Sequence, residues 1–211
     1  MIKNIIYDLD GTLINSQKDI INAFNYTFKK NKTNTKINYK FFIENANLGS
    51  KYFIKKALKK NKNNFLDIQK DFTTYYNKNF YQNTNLKAGA YNFLKQAYNK
   101  NYKNILCTNK KEETAKKILK KYNIEKFFKF IIGFDTFTEK KPELKFIKKI
   151  KKKLKINSED TIVIGDTEVD STLAKRGNIK FYLIRNGYTN KKNISNYKKF
   201  NNFYDLEKKI F

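Results

Sequence analysis

Apolar positions along the chain change period from segment to segment. Residues 2–7 (IKNIIY) form a short run rich in β-branched residues that stops at Asp8, Asp10 and Gly11, the pattern of a buried strand entering a loop. Runs of the same kind recur at 103–108 (KNILCT), 130–132 (FII), 161–165 (TIVIG) and 179–184 (IKFYLI). Between them the apolar residues fall at helical spacing: Tyr91, Leu94, Ala97 and Tyr98; then Ala115, Ile118, Leu119 and Tyr122; then Leu144, Ile147, Ile150 and Leu154. Strands that alternate with helices predict a doubly wound, Rossmann-like α/β sheet of parallel strands, with functional groups beyond the strands' carboxyl ends.

Residues 16–85 break this alternation. No β-branched run appears there, and Ile20, Ala23, Phe24 and Phe28, then Phe65, Ile68, Phe72, Tyr75, Tyr76 and Phe80, keep helical spacing, with a loop expected at Gly49 and Ser50. The expectation is a smaller, all-helical cap over 16–85, inserted into a core made of 1–15 and 86–211. Its aromatic stripes are read as core packing.

Composition narrows the class. The chain has 211 residues, enough for one core with an insertion, and 40% of them are hydrophobic, which argues against general disorder. The net charge of +27 invites a nucleic-acid reading, but the lysines are spread along the whole chain among equally abundant Asn, Ile, Phe and Tyr, and are read as solvated faces. A single cysteine, Cys107, excludes an internal disulfide, and the absence of histidine excludes a Cys/His zinc site. With acidic residues this close to Met1 and no long apolar run, a cytoplasmic location away from membranes is expected.

The strongest chemical signal is Asp8-Leu9-Asp10-Gly11-Thr12-Leu13. In an extended segment alternate side chains share a face, so Asp8 and Asp10 can point into one site, where a hard divalent cation such as Mg²⁺ offsets their repulsion. Gly11 lets the backbone turn and approach an anion, and Thr12 can tie the loop. A plain strand-ending turn is the bland alternative.

This hexapeptide resembles the first motif of the haloacid dehalogenase superfamily of phosphatases. Ile105-Leu106-Cys107-Thr108-Asn109-Lys110 resembles the second motif, Lys141-Pro142 the third, and Gly165-Asp166-Thr167-Glu168-Val169-Asp170 the fourth, in the right order. Alone, each of the later motifs has a plain reading: Thr108 ends a strand, Lys141 is one solvated lysine beside Lys140, and Asp166 and Asp170 cap a helix on one face at i and i+4. The cap and the Thr108-Asn109-Lys110 triplet are similar to phosphoglycolate phosphatases. Asn15, Ala88 and Leu144 depart from the usual pattern and leave the subfamily open.

The resemblance implies a set of roles. Asp8 would be the nucleophile that forms an aspartyl-phosphate, and Asp10 the acid and base. Mg²⁺ would be held by Asp8, the Asp10 carbonyl, Asp166 and Asp170. Thr108, Asn109, Lys141 and the amides around Gly11 would bind the phosphate, and Gly49, Ser50 and Lys51 of the cap would face the substrate. The expected substrate is a small phosphorylated metabolite, phosphoglycolate-like or a sugar phosphate, acted on by a monomer or homodimer. A β-phosphoglucomutase-type phosphomutase, a nucleotide phosphatase and a nucleic-acid-binding protein are the alternatives.

Overall fold

The computed structural model describes residues 2–46, 49–58, 65–188 and 196–211. Strand β1 (Asn4–Tyr7) lies inside a six-stranded sheet, with β4 (Lys103–Cys107) then β5 (Phe130–Ile132) on one side and β6 (Thr161–Gly165), β7 (Lys180–Ile184) and β8 (Lys198–Phe200) in turn on the other. Every pairing is parallel, and Tyr7 stands opposite both Leu106 and Ile164. Parallel strands covered on both faces read as continuous apolar runs, which is why β1, β4 and β6 are legible in the sequence.

The pleat sorts those runs onto two faces. Ile5, Tyr7, Leu106, Ile162, Ile164 and Tyr182 join one apolar cluster, which includes Phe93 and Leu94 of α5 (Ala90–Asn99), Ile118 and Leu119 of α6 (Glu112–Lys121) and Phe203 and Leu206 of α9 (Phe203–Ile210). Ile6, Ile105, Cys107, Val163, Phe181 and Leu183 join the other, beneath Phe146, Ile147 and Ile150 of α7 (Leu144–Leu154) and Leu173 of α8 (Glu168–Gly177). Each such fully buried side chain contributes roughly 1.5–3 kcal/mol, so the two faces together hold the sheet rigid behind its loops.

A two-stranded antiparallel ribbon, β2 (Ile14–Asn15) with β3 (Asn85–Leu86), marks where the chain leaves and rejoins this layer. Between its strands run α1 (Gln17–Lys30), α2 (Tyr39–Asn45), α3 (Gly49–Leu58) and α4 (Phe65–Asn79). Phe24 of α1 is stacked between Phe53 of α3 and Phe72 of α4, with ring centroids 4.2 and 4.1 Å away, so the aromatic stripe is indeed packing. Asp19, buried in the first turn of α1, accepts from the Asn83 amide (2.9 Å), Asn83 Nδ2 (2.8 Å) and Thr84 Oγ1 (2.8 Å), stitching the two crossings together.

Two expectations change, and one strand, β8, is not among those the sequence predicts. The loop expected at Gly49 and Ser50 is the first turn of α3, and Gly49, Ser50 and Lys51 are exposed there. Strand β8, read as Lys-Lys-Phe, carries no β-branched signal, and takes its shape from pairing Tyr182 with Lys198 and Ile184 with Phe200. Asp166 precedes α8 rather than sharing a helix face with Asp170, because it opens the two-residue loop out of β6 and Thr167 is the cap of α8. No helix among the described residues is long and apolar enough to cross a membrane.

Candidate active site

The four motifs meet beyond the carboxyl ends of the sheet's strands. Asp8 follows β1, Thr108 follows β4, Asp166 follows β6, and Lys141 lies in the connection from β5 to α7. Neighbouring β4 and β6 flank β1, so connections leave it in opposite directions and a crevice opens at its carboxyl end. Carboxylate oxygens of Asp8, Asp166 and Asp170 lie within 4.8 Å of one another.

Three carboxylates at that separation repel strongly in a buried setting. Burial, with Asp170 and Asp10 adding to it, pushes the Asp8 carboxyl up to about 7 even though Lys141 pulls it down. Burial and the charges of Asp170 and Asp8 also hold Asp166 well above the usual carboxylate range. Lys141 is the counter-charge: its Nζ, only 3% exposed as a side chain, lies 2.8 Å from Asp8 Oδ1, pairs with Asp170 Oδ1 and donates to the Cys107 carbonyl at 3.0 Å. Burial alone would lower this ammonium; Asp170 and Asp8 outweigh it and raise it above its ordinary value. One cation against three carboxylates leaves negative charge uncompensated, and a purely oxygen-bearing donor set fits a hard divalent cation such as Mg²⁺.

The loops are built to hold this group. Thr12 Oγ1 donates to Asp166 Oδ1 (2.7 Å) and the Tyr188 amide donates to Asp166 Oδ2 (2.6 Å). Asp170 Oδ2 accepts from the Thr167 amide (2.9 Å), the Asp166 amide (3.2 Å) and Thr167 Oγ1 (2.7 Å), so one oxygen of Asp170 closes the cap of α8 while the other faces Lys141. Gly11 has φ +86°, and a Cβ there would sit 2.2 Å from Asp166 Oδ2; a Cβ on Gly187 would meet the same carboxylate at 2.2 Å.

Asp10 stands apart. Its carboxylate is not in the group of three; Oδ1 accepts from Ser16 Oγ and Oδ2 lies 3.0 Å from Lys110 Nζ. Asp8 and Asp10 both lie just past the end of β1, and Asp10 is bridged to Ile14 before the turn at 11–13. Thr108 is buried, and its Oγ1 accepts the Lys110 amide at 3.2 Å, which leaves its own proton available. The Asn109 side chain is exposed.

A sequence profile of the family described as haloacid dehalogenase-like hydrolase matches residues 5–184, which includes all four motifs. The chain belongs to this family. A phosphoglycolate phosphatase of Aquifex aeolicus is 30% identical over 192 residues, covering 87% of this chain and 85% of the relative. A pyrophosphatase PpaX of Halalkalibacterium halodurans is 28% identical over 182 residues, covering 85% and 81%. Among solved structures, a predicted phosphoglycolate phosphatase from Haemophilus somnus superposes with a TM-score of 0.87 at 23% identity, covering 98% of this chain and 97% of that one. Its likeness extends to the inserted helices as well as to the sheet.

For this haloacid dehalogenase-like hydrolase, the sequence reading leaves out Thr12 as a partner of Asp166, gives Ser16 and Tyr188 no role, and places Lys110 in the second motif without a role of its own. Ser16 and Tyr188 meet through the Ser16 amide donating to Tyr188 Oη at 2.8 Å, a contact across 172 positions that no local pattern encodes. Lys110 was the one with a visible signal, since it directly follows Thr108-Asn109.

Proposed function

We propose that this hydrolase is a Mg²⁺-dependent phosphatase that removes phosphate from a small, anionic phosphorylated metabolite of the phosphoglycolate type, through a phosphoryl group carried on Asp8. The observation that carries this reading is the convergence of Asp8, Asp166 and Asp170 oxygens within 4.8 Å, with Lys141 against Asp8.

The residues divide the work. Lys141 engages Asp8 Oδ1 and, among the described residues, no protein hydrogen bond occupies the other oxygen, so that oxygen forms the bond to phosphorus as the ester oxygen leaves. Asp10 gives its proton to the departing oxygen, then takes one from the water that attacks phosphorus and frees Asp8. Thr108 and the amides around Gly11 hold phosphoryl oxygens during both transfers, with Asn109 at the exposed edge. Asp8, Asp166 and Asp170 would hold the divalent ion, which when bound supplies neutralising charge for the phosphoryl oxygens.

The proposal includes the inserted helices. Residues 16–85, entered and left through the β2–β3 ribbon, act as a cap whose Gly49-Ser50-Lys51 turn contributes to substrate choice, while 1–15 and 86–211 carry the chemistry. The relative named pyrophosphatase favours one second reading, in which the leaving group is itself a phosphate.

Phosphate release from phosphoglycolate, sugar phosphates, nucleotides and pyrophosphate, with Mg²⁺ and with chelator, tests both. The expected result is Mg²⁺-dependent turnover that Asp8→Asn abolishes, with phosphoglycolate ahead of pyrophosphate in kcat/KM. Full activity in Asp8→Asn, or turnover unaffected by chelation, would end the proposal; transfer of phosphate within a sugar phosphate with none released would replace it by the mutase reading.

A further inference from the structure

Lys110 is largely withdrawn from solvent where a lysine has no packing reason to be. Its side chain is 10% exposed, and its Nζ lies 3.0 Å from Asp10 Oδ2 and donates to Tyr76 Oη at 2.7 Å while standing 4.6 Å from the Tyr76 ring centroid. Tyr76 belongs to α4, in the insertion, and is itself buried. Asp10 belongs to the loop after β1, and its other oxygen is taken by Ser16. One ammonium thus joins a helix of the insertion to the carboxylate proposed as acid and base.

The obvious alternative role, binding the transferred phosphate, is already filled. Lys141 is the lysine whose Nζ touches Asp8, whereas Lys110 touches Asp10 and Tyr76. Burial alone would lower the Lys110 ammonium, and the Asp10 carboxylate and Tyr76 raise it above its ordinary value, so the charge stays in place for the contact. A carboxylate held at each oxygen by a different element cannot rotate freely about its last bond. For a group that must deliver a proton to one atom, that restriction matters: general acids work only within hydrogen-bond reach, and a misplacement of about 1 Å costs on the order of a hundredfold in rate.

We propose that Lys110 is the positioning residue for Asp10, and that through Tyr76 it makes the placement of this carboxylate depend on α4 of the inserted helices. The inference rests on the phosphatase reading above. It assigns to the third residue of the Thr108-Asn109-Lys110 triplet a task separate from phosphate binding, and to Tyr76 one beyond packing.

Leaving groups separate this role from a structural one. Glycolate departs as a strongly basic alkoxide and needs the Asp10 proton, whereas p-nitrophenolate is stable without it, and kcat/KM reports the first transfer alone. Wild type, Asp10→Asn, Lys110→Met, Lys110→Arg and Tyr76→Phe are to be compared on phosphoglycolate and p-nitrophenyl phosphate, with melting curves for each. Asp10→Asn sets the full selective loss. Lys110→Met is expected to lower the ratio of kcat/KM for the alkyl ester over the aryl ester by about tenfold to a hundredfold. Tyr76→Phe shifts the ratio the same way by less, and Lys110→Arg, which keeps the charge, retains more of it than Lys110→Met. In an Asp10→Asn background Lys110→Met leaves the ratio unchanged. Equal losses on the two esters in Lys110→Met, or in Tyr76→Phe if Lys110→Met does not fold, overturn the inference alone. A wild-type protein that releases phosphate from neither ester overturns the phosphatase reading with it.

Discussion

Thr12 and Asp166, 154 positions apart, share a hydrogen bond in which Thr12 Oγ1 donates to Asp166 Oδ1 at 2.7 Å. With the Tyr188 amide on Oδ2 at 2.6 Å, both oxygens of this carboxylate are oriented before any ion arrives. Thr12→Val keeps the shape and removes the donor, leaving a fully buried acceptor short of a partner at about 1–3 kcal/mol. Because outer hydrogen bonds orient metal ligands, Mg²⁺ affinity is expected to fall roughly 10- to 100-fold. Calorimetric Mg²⁺ titration of the folded variant checks this, and an unchanged affinity would refute it.

Gly11 is expected to tolerate no side chain. Its φ of +86° strains any L-residue, and the Cβ of an alanine would overlap Asp166 Oδ2 at 2.2 Å, so the loop or the carboxylate must move. Gly11→Ala should lose nearly all phosphate release and also melt earlier, by an amount set by strain of about 1–3 kcal/mol. Activity within a few-fold of wild type would show that the loop can relax without disturbing Asp166.

Those two residues also show what the sequence makes readable. Asp8, Asp10 and Gly11 lie beside each other after an apolar run, so strand, turn and carboxylates are visible in one glance. Lys141 and Asp166 become legible through the resemblance, since each motif sits after a recognisable element. The strands buried on both faces are equally plain, as Ile162, Val163 and Ile164 show. What stays hidden is set by tertiary contact: β8 owes its form to pairing with β7, Ser16 and Tyr188 meet only in the folded chain, and Tyr76 reads as one more core aromatic until its hydroxyl is seen against Lys110. The partners of the Asp10 carboxylate, Ser16 and Lys110, are hidden in the same way.

Cys107 should be chemically silent in the native protein. Its side chain is fully buried on β4, and burial pushes the thiol up to about 12, with Lys141 offsetting part of the rise. The reactive thiolate is therefore scarce at pH 8. A thiol reagent at pH 8 is expected to label no cysteine in the folded state and the single one present after denaturation, at a rate that follows unfolding. Prompt stoichiometric labelling with secondary structure intact would contradict the burial.

Asp19 is the residue whose loss should loosen the insertion without touching the carboxylates of the site. It is buried, it accepts from the Asn83 amide, Asn83 Nδ2 and Thr84 Oγ1, and Tyr122 Oη adds a donor to the Thr84 carbonyl from the opposite side. Asp19→Ala strands those donors just before β3 and removes an acidic group from the first turn of α1, where the helix dipole favours it. Hydrogen bonds to a charged group contribute about 1.5–3 kcal/mol net, and with the stranded donors partly rehydrated near the surface a loss of roughly 3 kcal/mol is expected in urea denaturation. The Asn83 amide, protected by this contact, should exchange faster while amides of β1 and β6 keep their protection in native-state hydrogen exchange. Uniformly faster exchange across the sheet would mean that Asp19 supports the whole fold instead, and stability within about 0.5 kcal/mol of wild type would mean that the two crossings need no such tie.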